Sequence, residues 1–246
     1  MNKQQSCLFL LGGHDLEMAE IRNILEELGI PYHDRGLKWG ALLSDYSDIL
    51  SSDAEHFSSV YGIELIEDVS PPAQYRAIDH HNERSDMPSS VEQVCEILGY
   101  PMSRYLRLVS ANDTGYIPAM VRLGASETEV SEIRKRDRRE QGVTEEEEKK
   151  ALEELKNVEN LNGTFVIKTS LDNFSPLADG IYPANSILIY NDCKFTLYGK
   201  RVPVFRKIIK SRDHPHRYYY GGGECGFAGG ELSEELLQLL TEIILQ

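Results

Sequence analysis

The chain has 246 residues, of which 41% are hydrophobic, and its formal net charge is −14. This composition argues against a disordered chain, and no apolar run approaches the roughly 20 residues that cross a bilayer. An acidic surface of this kind also repels nucleic acid, which argues against a protein that coats long duplex DNA.

The start of the chain and its cysteines indicate a cytoplasmic protein. Residues 1–5 are polar and lack a basic segment, and the apolar stretch that follows is too short for a secretion signal. The four cysteines, at positions 7, 95, 193 and 225, form no CxxC pair, which argues against a disulfide scaffold or a structural zinc site. We therefore expect reduced cysteines and no membrane association.

Strand and helix signals alternate along the first half of the chain. Compact apolar runs that end in turn residues predict strands, and apolar residues at helical spacing predict helices. The predicted strands are 6–11, 58–65 and 75–78, and the predicted helices are 15–28, 39–50, 90–98 and 103–110. Alternation of this kind predicts an α/β fold with a mainly parallel sheet flanked by helices.

A charged segment separates this half from a region of short strands. Residues 131–150 carry dense charge of both signs, which favours an exposed helical connector, broken near Gly142, over a nucleic-acid arm. Beyond it, strands at 164–168, 186–190 and 194–198 and a final helix at 233–245 predict a smaller α+β domain. The predicted domains are 1–125 and 161–246, joined by a connector at 126–160.

Carboxylates and histidines follow several of the predicted strands. Because ligands bind outside the carboxyl ends of parallel strands, these side chains are candidates for one site. Imidazoles mixed with carboxylates suit divalent ions such as manganese, and two such ions can activate water against a phosphate. The candidate ligands are His14, Asp15, Glu17, Glu64, Asp79, His80 and Asp113, with Asp79, His80 and His81 as the candidate catalytic residues.

The run Asp79-His80-His81 resembles the motif that names the DHH phosphoesterases. The helix start at 89–94 and the segment Ala111-Asn112-Asp113-Thr114-Gly115 resemble later pieces of the same family, in the same order. The glycine-rich stretch 221–230 is similar to a loop of the accessory domain that follows the DHH domain in many members. The resemblance implies a two-domain enzyme that holds Mn²⁺ or Mg²⁺, as two ions or one, in its first domain.

The sequence also departs from the family pattern. The first motif usually has a His followed, several positions on, by two Asp residues, whereas here His14 is followed at once by Asp15, Leu16 and Glu17. Glu64 stands where the second motif supplies an Asp, and Glu224 stands where the accessory loop has a His. Since a Glu can bind a divalent ion in place of an Asp, a metal site is still expected.

A basic segment near the C-terminus is the candidate site for substrate phosphate. Residues 194–220 contain eight Lys or Arg against one acid, and the glycines that follow allow backbone N–H groups to converge on an anion. A solvated basic face and a tight hairpin are the alternatives. The candidate substrate-binding residues are Arg212, His214, His216, Arg217, Gly221, Gly222 and Gly223.

Together these features predict a metal-dependent phosphoesterase that acts on a nucleotide, a short oligonucleotide or a cyclic dinucleotide, with a homodimer as a possible assembly. The basic segment is too small for long duplex DNA. Two alternatives stay open. One is a pyrophosphatase or polyphosphatase, and the other is a sensor without catalytic activity that binds a nucleotide on a degenerate DHH scaffold.

Overall fold

The structure, a computed structural model, describes residues 7–38, 40–209, 218–221 and 226–245. The chain divides into two compact units. The first comprises Met1–His80 and Asp86–Ser110, and the second comprises His81–Ser85 and Ala111–Gln246. The boundary therefore passes through the Asp79-His80-His81 run, between the two histidines.

The first unit is built on a four-stranded parallel sheet. Its strands are β1 (Cys7–Leu11), β2 (Tyr32–Asp34), β3 (Ser59–Ile63) and β4 (Tyr75–Ile78). They lie in the order β2-β1-β3-β4, and every pairing is parallel. The carboxyl ends of all four strands therefore lie at one edge of the sheet, where the candidate site was predicted.

Helices cover both faces of this sheet. They are α1 (Leu16–Leu28), α2 (Ser47–Ser52) and α3 (Ser90–Leu98). Phe9 and Leu11 of β1 belong to a buried cluster with α1 and α3, whereas Leu8 and Leu10 belong to a second cluster with α2 and the residues around it. Since successive side chains of a strand point to opposite faces, this near-continuous apolar strand is buried on both sides.

The second unit combines helices with a mixed six-stranded sheet. Its helices are α4 (Arg104–Arg122), which begins in the first unit, α5 (Glu127–Glu140), α6 (Glu145–Glu154), α7 (Ser175–Ile181), α8 (Val202–Ile209) and α9 (Glu234–Leu245). Its strands are β5 (Glu159–Leu161), β6 (Thr164–Lys168), β7 (Ser186–Tyr190), β8 (Lys194–Gly199), β9 (Tyr218–Gly221) and β10 (Phe227–Glu231). The order is β5-β6-β7-β8-β10-β9, and among the strands of the described ranges only β6 and β7 pair in parallel.

A buried ion-pair network ties α5 into the second unit. Arg134 donates to Asp179 Oδ1 at 2.8 Å, to Asp137 Oδ2 at 2.5 Å and to Asn112 Oδ1 at 2.9 Å. The Tyr116 hydroxyl donates to the same Asp179 oxygen at 2.6 Å. Arg134 and Asp137, which lie in the predicted connector, are buried in this network, so this side of α5 packs into the second unit.

The predicted fold class, a parallel α/β sheet with helices followed by an α+β region, is confirmed. Several local predictions were wrong. The helix expected at 39–50 is a 3₁₀ turn (Leu43–Tyr46) followed by the short α2. The helix expected at 103–110 is part of the longer α4, whose backbone is non-helical at Gly115 and Tyr116. Residues 227–230 of the expected glycine loop form β10. The predicted charged connector is helical, as α5 and α6 with Gly142 between them, and both helices fall in the second unit.

Candidate metal centre

Three ligand atoms converge at the carboxyl edge of the first sheet. They come from Glu17 in the first turn of α1, from Glu64 directly after β3, and from His80 two residues after β4, and they all lie within 4.8 Å of one another. His80 Nε2 is 3.5 Å from Glu17 Oε2 and 3.5 Å from Glu64 Oε1. Glu17 and His80 are each about 2% exposed. We call this group the Glu17–Glu64–His80 cluster.

Asp15 and the glycines after β1 place Glu17 in the cluster. The Asp15 side chain caps α1 by accepting a hydrogen bond from Met18 N at 2.9 Å, so the helix begins at Leu16 and Glu17 falls in its first turn. Gly12 allows the chain to pass close to β3, because a Cβ there would lie 2.4 Å from the Ile63 carbonyl oxygen. The glycine is needed for close approach of two backbones.

Glu64 has a strained backbone. Its φ is 54°, a left-handed conformation that residues other than glycine rarely adopt. The conformation is fixed by the Glu64 N–H, which donates to the Ile78 carbonyl oxygen at 2.8 Å and so ties the end of β3 to the end of β4. Strain of this kind concentrates at functional sites, where it is maintained by the surrounding structure.

The N-terminus of α3 holds both carboxylates of the cluster. Val91 donates its backbone N–H to Glu17 Oε1 at 3.0 Å, and the Ser90 hydroxyl donates to Glu64 Oε1 at 2.8 Å. Helix N-termini favour negative charge, so this contact stabilises the ionised carboxylates that a metal site needs. Neither Ser90 nor Val91 was predicted as a site residue. Ser89, the residue before Ser90, is the cap of this helix.

The cluster fits a divalent ion. Two ligands about 2.1 Å from one ion lie roughly 3.0 Å apart at an octahedral angle and roughly 3.4 Å apart at a tetrahedral one. The two separations of 3.5 Å at His80 Nε2 are a little longer than both and would close slightly around an ion. Burying two carboxylates also costs several kcal/mol per ion unless positive charge compensates them. One imidazole and two carboxylates are ligands of the kind that Mn²⁺ and Zn²⁺ accept.

Three predicted ligands of the first unit lie outside this cluster. His14 is exposed and lines a pocket beside β2, and Asp15 is engaged as the α1 cap. Asp79 is not among the residues whose ligand atoms converge, and its carbonyl oxygen accepts from Gln93 at 3.2 Å. Glu17, rather than His14 or Asp15, is therefore the residue that the first loop contributes.

Two further predicted residues belong to the second unit. The His81 ring stands edge-on to Phe227 of β10, with centroids 6.0 Å apart. The residue after it, Asn82, accepts a hydrogen bond from the Tyr220 backbone at 3.2 Å. Asp113 lies half-buried in α4. The metal and catalytic roles expected of Asp113 and His81 stay predictions.

Most of the predicted substrate-binding residues cannot be placed. Gly221 ends β9. Arg212, His214, His216, Arg217, Gly222 and Gly223 lie outside the described residues, as does Glu224. Of the basic segment's described residues, Arg206 stacks over the Tyr220 ring at 4.4 Å and donates to the Ser85 hydroxyl at 3.0 Å.

Comparison with solved structures finds distant likenesses. A chain described as a "pGpG-specific phosphodiesterase - PggH from Vibrio cholrae" matches with a TM-score of 0.48 and 12% identity, over 97% of this chain and 97% of that chain. The DHH domain of a "member of s1p family of ribosomal proteins" matches with a TM-score of 0.49 and 12% identity, over 99% and 87%. An uncharacterized protein from Helicobacter pylori G27 matches with a TM-score of 0.32 and 10% identity, over 96% and 98%.

No protein-family profile and no curated protein matches the sequence. Likenesses at these TM-scores do not indicate an activity. The residues of the Glu17–Glu64–His80 cluster are the basis for a function. Among the helices in the described ranges, none has both the length and the apolar character needed to span a bilayer.

Proposed function

We propose that this chain is a divergent DHH phosphoesterase that hydrolyses a phosphodiester or phosphoanhydride bond of a nucleotide, a short oligonucleotide or a cyclic dinucleotide. The observation that carries the proposal is the convergence of two carboxylates and one imidazole within 4.8 Å at the carboxyl edge of a parallel sheet. His80 belongs to the Asp79-His80-His81 run on which the family resemblance is based.

Glu17, Glu64 and His80 would hold a divalent ion, Mn²⁺ or Mg²⁺, and the motif resemblance adds Asp79 and Asp113 to the proposed ligands. Such an ion supplies Lewis-acid stabilisation of the phosphate oxygens and activates water for attack at phosphorus. Whether one ion or two bind depends on the carboxylates, because each can bind one ion or bridge two.

The contribution of the chain itself is to keep the ligands charged and in place. The α3 N-terminus fixes one oxygen of each carboxylate through Val91 and Ser90. Hydrogen bonds of this kind orient ligands and tune the ion that they hold. Glycines at positions 12 and 13 keep the first loop close to β3, which holds Glu17 beside Glu64.

An ion-pair cluster is the main alternative to a metal centre. A protonated His80 between the two glutamates would also satisfy distances of 3.5 Å, and the chain would then be a nucleotide sensor without catalytic activity. This alternative is motivated by the presence of Glu17 and Glu64 where the family pattern has aspartates.

The test combines metal binding with turnover. The protein, stripped with EDTA, is titrated with Mn²⁺ by calorimetry, and hydrolysis of linear dinucleotides, cyclic dinucleotides and pyrophosphate is followed with and without Mn²⁺. The same measurements are made on Glu17→Gln, Glu64→Gln and His80→Asn. Glu55→Gln, which changes an exposed glutamate of the first unit, is the matched control.

We expect Mn²⁺ binding and Mn²⁺-dependent turnover of a nucleotide substrate in the parent and in Glu55→Gln, and loss of both in the three cluster variants. Hydrolysis of pyrophosphate alone would instead favour the pyrophosphatase alternative. A protein that binds nucleotide but neither binds Mn²⁺ nor turns over any of these substrates would overturn the proposal in favour of the sensor.

A further inference from the structure

A second polar pocket lies in the first unit, at the carboxyl ends of β1 and β2. Its volume is about 640 Å³, and it is lined by His14, Arg22, Tyr32, His33, Asp34 and Gly36. His33 and Asp34 are opposite Leu10 and Leu11 in the β1–β2 register, and His14 follows β1 by three residues. We call it the β1–β2 pocket. The proposed metal centre does not use these side chains.

Two of the residues at the β1–β2 pocket are histidines, His14 and His33. Within the described ranges, neither the His14 nor the His33 side chain makes a hydrogen bond or ion pair. His33 is nevertheless held in place, since its carbonyl oxygen lies 3.2 Å from the Tyr46 hydroxyl, which is also 2.6 Å from the Leu11 carbonyl oxygen. Both histidines therefore lie at one pocket, His14 on the loop after β1 and His33 on a fixed strand backbone.

The charged residues of the β1–β2 pocket neutralise each other. Arg22 donates to Asp34 Oδ2 at 2.7 Å, and Asp34 Oδ1 accepts from the Gly36 backbone at 2.8 Å. Asp34 already balances the Arg22 guanidinium, so this arginine is less suited to bind a phosphate group. The volume of the pocket lies within the range of roughly 300–1,000 Å³ typical of small-molecule sites.

We propose that the β1–β2 pocket binds the nucleoside part of a substrate. Nucleobases stack on Tyr and His rings and on guanidinium planes, and the pocket provides Tyr32, His14, His33 and Arg22 for such contacts. The paired Arg22 and Asp34 place a hydrogen-bond donor and an acceptor side by side, which suits the polar edge of a base.

The β1–β2 pocket adjoins the Glu17–Glu64–His80 cluster through one residue. A Cβ built on Gly13 would lie 3.3 Å from Glu64 Oε2, and His14 is the next residue along the chain. Because His14 and Gly13 are consecutive residues, a phosphate at the cluster and a nucleoside in the pocket would belong to one nucleotide under this proposal. In this respect the inference rests on the proposed function and names the substrate part that the first unit recognises.

The experiment observes nucleoside binding without metal or catalysis. In EDTA, the imidazole C–H signals of the full-length protein are followed by ¹H–¹³C NMR while adenosine or guanosine is added. Ribose 5-phosphate and inorganic phosphate are added in parallel. His14→Ala and His33→Ala assign the two signals and test affinity, and His56→Ala, which removes an exposed histidine elsewhere in the first unit, is the control.

We expect a nucleoside to shift the His14 and His33 signals but not that of His56, and each pocket variant to weaken binding by about 10-fold while His56→Ala binds like the parent. Absence of nucleoside binding at millimolar concentration would overturn the inference, as would shifts confined to other histidines. Shifts produced by phosphate and ribose 5-phosphate but not by a nucleoside would show an anion site instead. Because the nucleoside titration contains no metal, a negative result in it would not change the outcome of the Mn²⁺ experiment. A negative result in the Mn²⁺ experiment would likewise not change the nucleoside titration.

Discussion

Val91 donates its backbone N–H to Oε1 of Glu17 at 3.0 Å, although 74 positions separate the two residues. The bond joins the first turn of α1 to the first turn of α3. Together with the bond from the Ser90 hydroxyl to Glu64, it makes one helix N-terminus the common support of two carboxylates. The proposed metal affinity should therefore depend on α3 as well as on the ligands themselves.

Ser90→Ala should weaken Mn²⁺ binding by about 10- to 100-fold, because loss of a residue that orients a metal ligand has effects of that size. The neighbouring Ser89→Ala is the matched control. Ser89 accepts a hydrogen bond from Glu92 N as the α3 cap, so its loss should lower stability by about 1 kcal/mol and leave the affinity nearly unchanged. Calorimetric titration and urea denaturation of both variants measure the two effects. Equal Mn²⁺ affinities in the two variants would contradict this role for Ser90.

The backbone of Glu64 gives a second prediction, on stability. Glu64→Gly and Glu64→Ala both remove the carboxylate, but only glycine adopts a φ of 54° without strain. We expect Glu64→Gly to be more stable than Glu64→Ala by about 1 kcal/mol in urea denaturation.

The same pair at Glu55 provides the control for Glu64. Glu55 lies in a 3₁₀ turn (Ala54–His56) and is not among the residues with positive φ. There the order should reverse, with the glycine variant less stable than the alanine variant by roughly 0.5–1 kcal/mol. If alanine were the more stable substitution at both positions, the strain assigned to Glu64 would be wrong.

The sheet of the first unit was largely predictable because its inner strand β1 is a compact apolar run that is buried on both faces. Residues 75–78 and 90–98 were predicted with the bounds that the structure has, since an apolar run and a serine-capped helix are strong local signals. The edge strand β2 was missed. It has only three residues, all half-buried, so it lacks the apolar run by which a strand is recognised.

The sequence indicated where the Glu17–Glu64–His80 cluster lies in the fold, but not which residues form it. The ends of the parallel strands indicated the edge of the sheet at which the Glu17–Glu64–His80 cluster lies, but three neighbouring acids or histidines, His14, Asp15 and Glu17, followed β1. Which of them enters the cluster depends on where α1 begins, and that is decided by the Asp15 cap. Ser90 could have been found only from its contact with Glu64, which is 26 positions away.

Tyr46 gives a prediction on stability at alkaline pH. Burial is the main cause that raises its pKa from 10.0 to about 12 in the folded protein. The folded state therefore favours the protonated phenol, whose contribution to stability is complete below pH 10 and is lost as the pH rises from about 10 to 12.

The Tyr46→Phe variant isolates this effect from that of other tyrosines. We expect it to be less stable than the parent at neutral pH by about 1 kcal/mol, because it loses the bond to the Leu11 carbonyl oxygen. The difference between the two proteins should shrink between pH 10 and 12 in urea denaturation. A difference that stays constant over this range would show that the Tyr46 hydroxyl does not titrate as described.

The last prediction concerns the network around Arg134 in the second unit. Burial by itself would lower the pKa of Arg134, but the charges of Asp179 and Asp137 raise it above its ordinary value, so the guanidinium stays charged. Arg134→Met would leave both acids without this cation, and removing one member of a buried pair typically costs about 3–5 kcal/mol.

Lys135→Met removes a positive charge from an exposed neighbour and should change stability by less than about 0.5 kcal/mol. Chemical denaturation, with hydrogen exchange of the α5 amides as a local readout, compares the two variants. Similar small losses in both would mean that α5 is held mainly by its apolar contacts and that the charged network adds little.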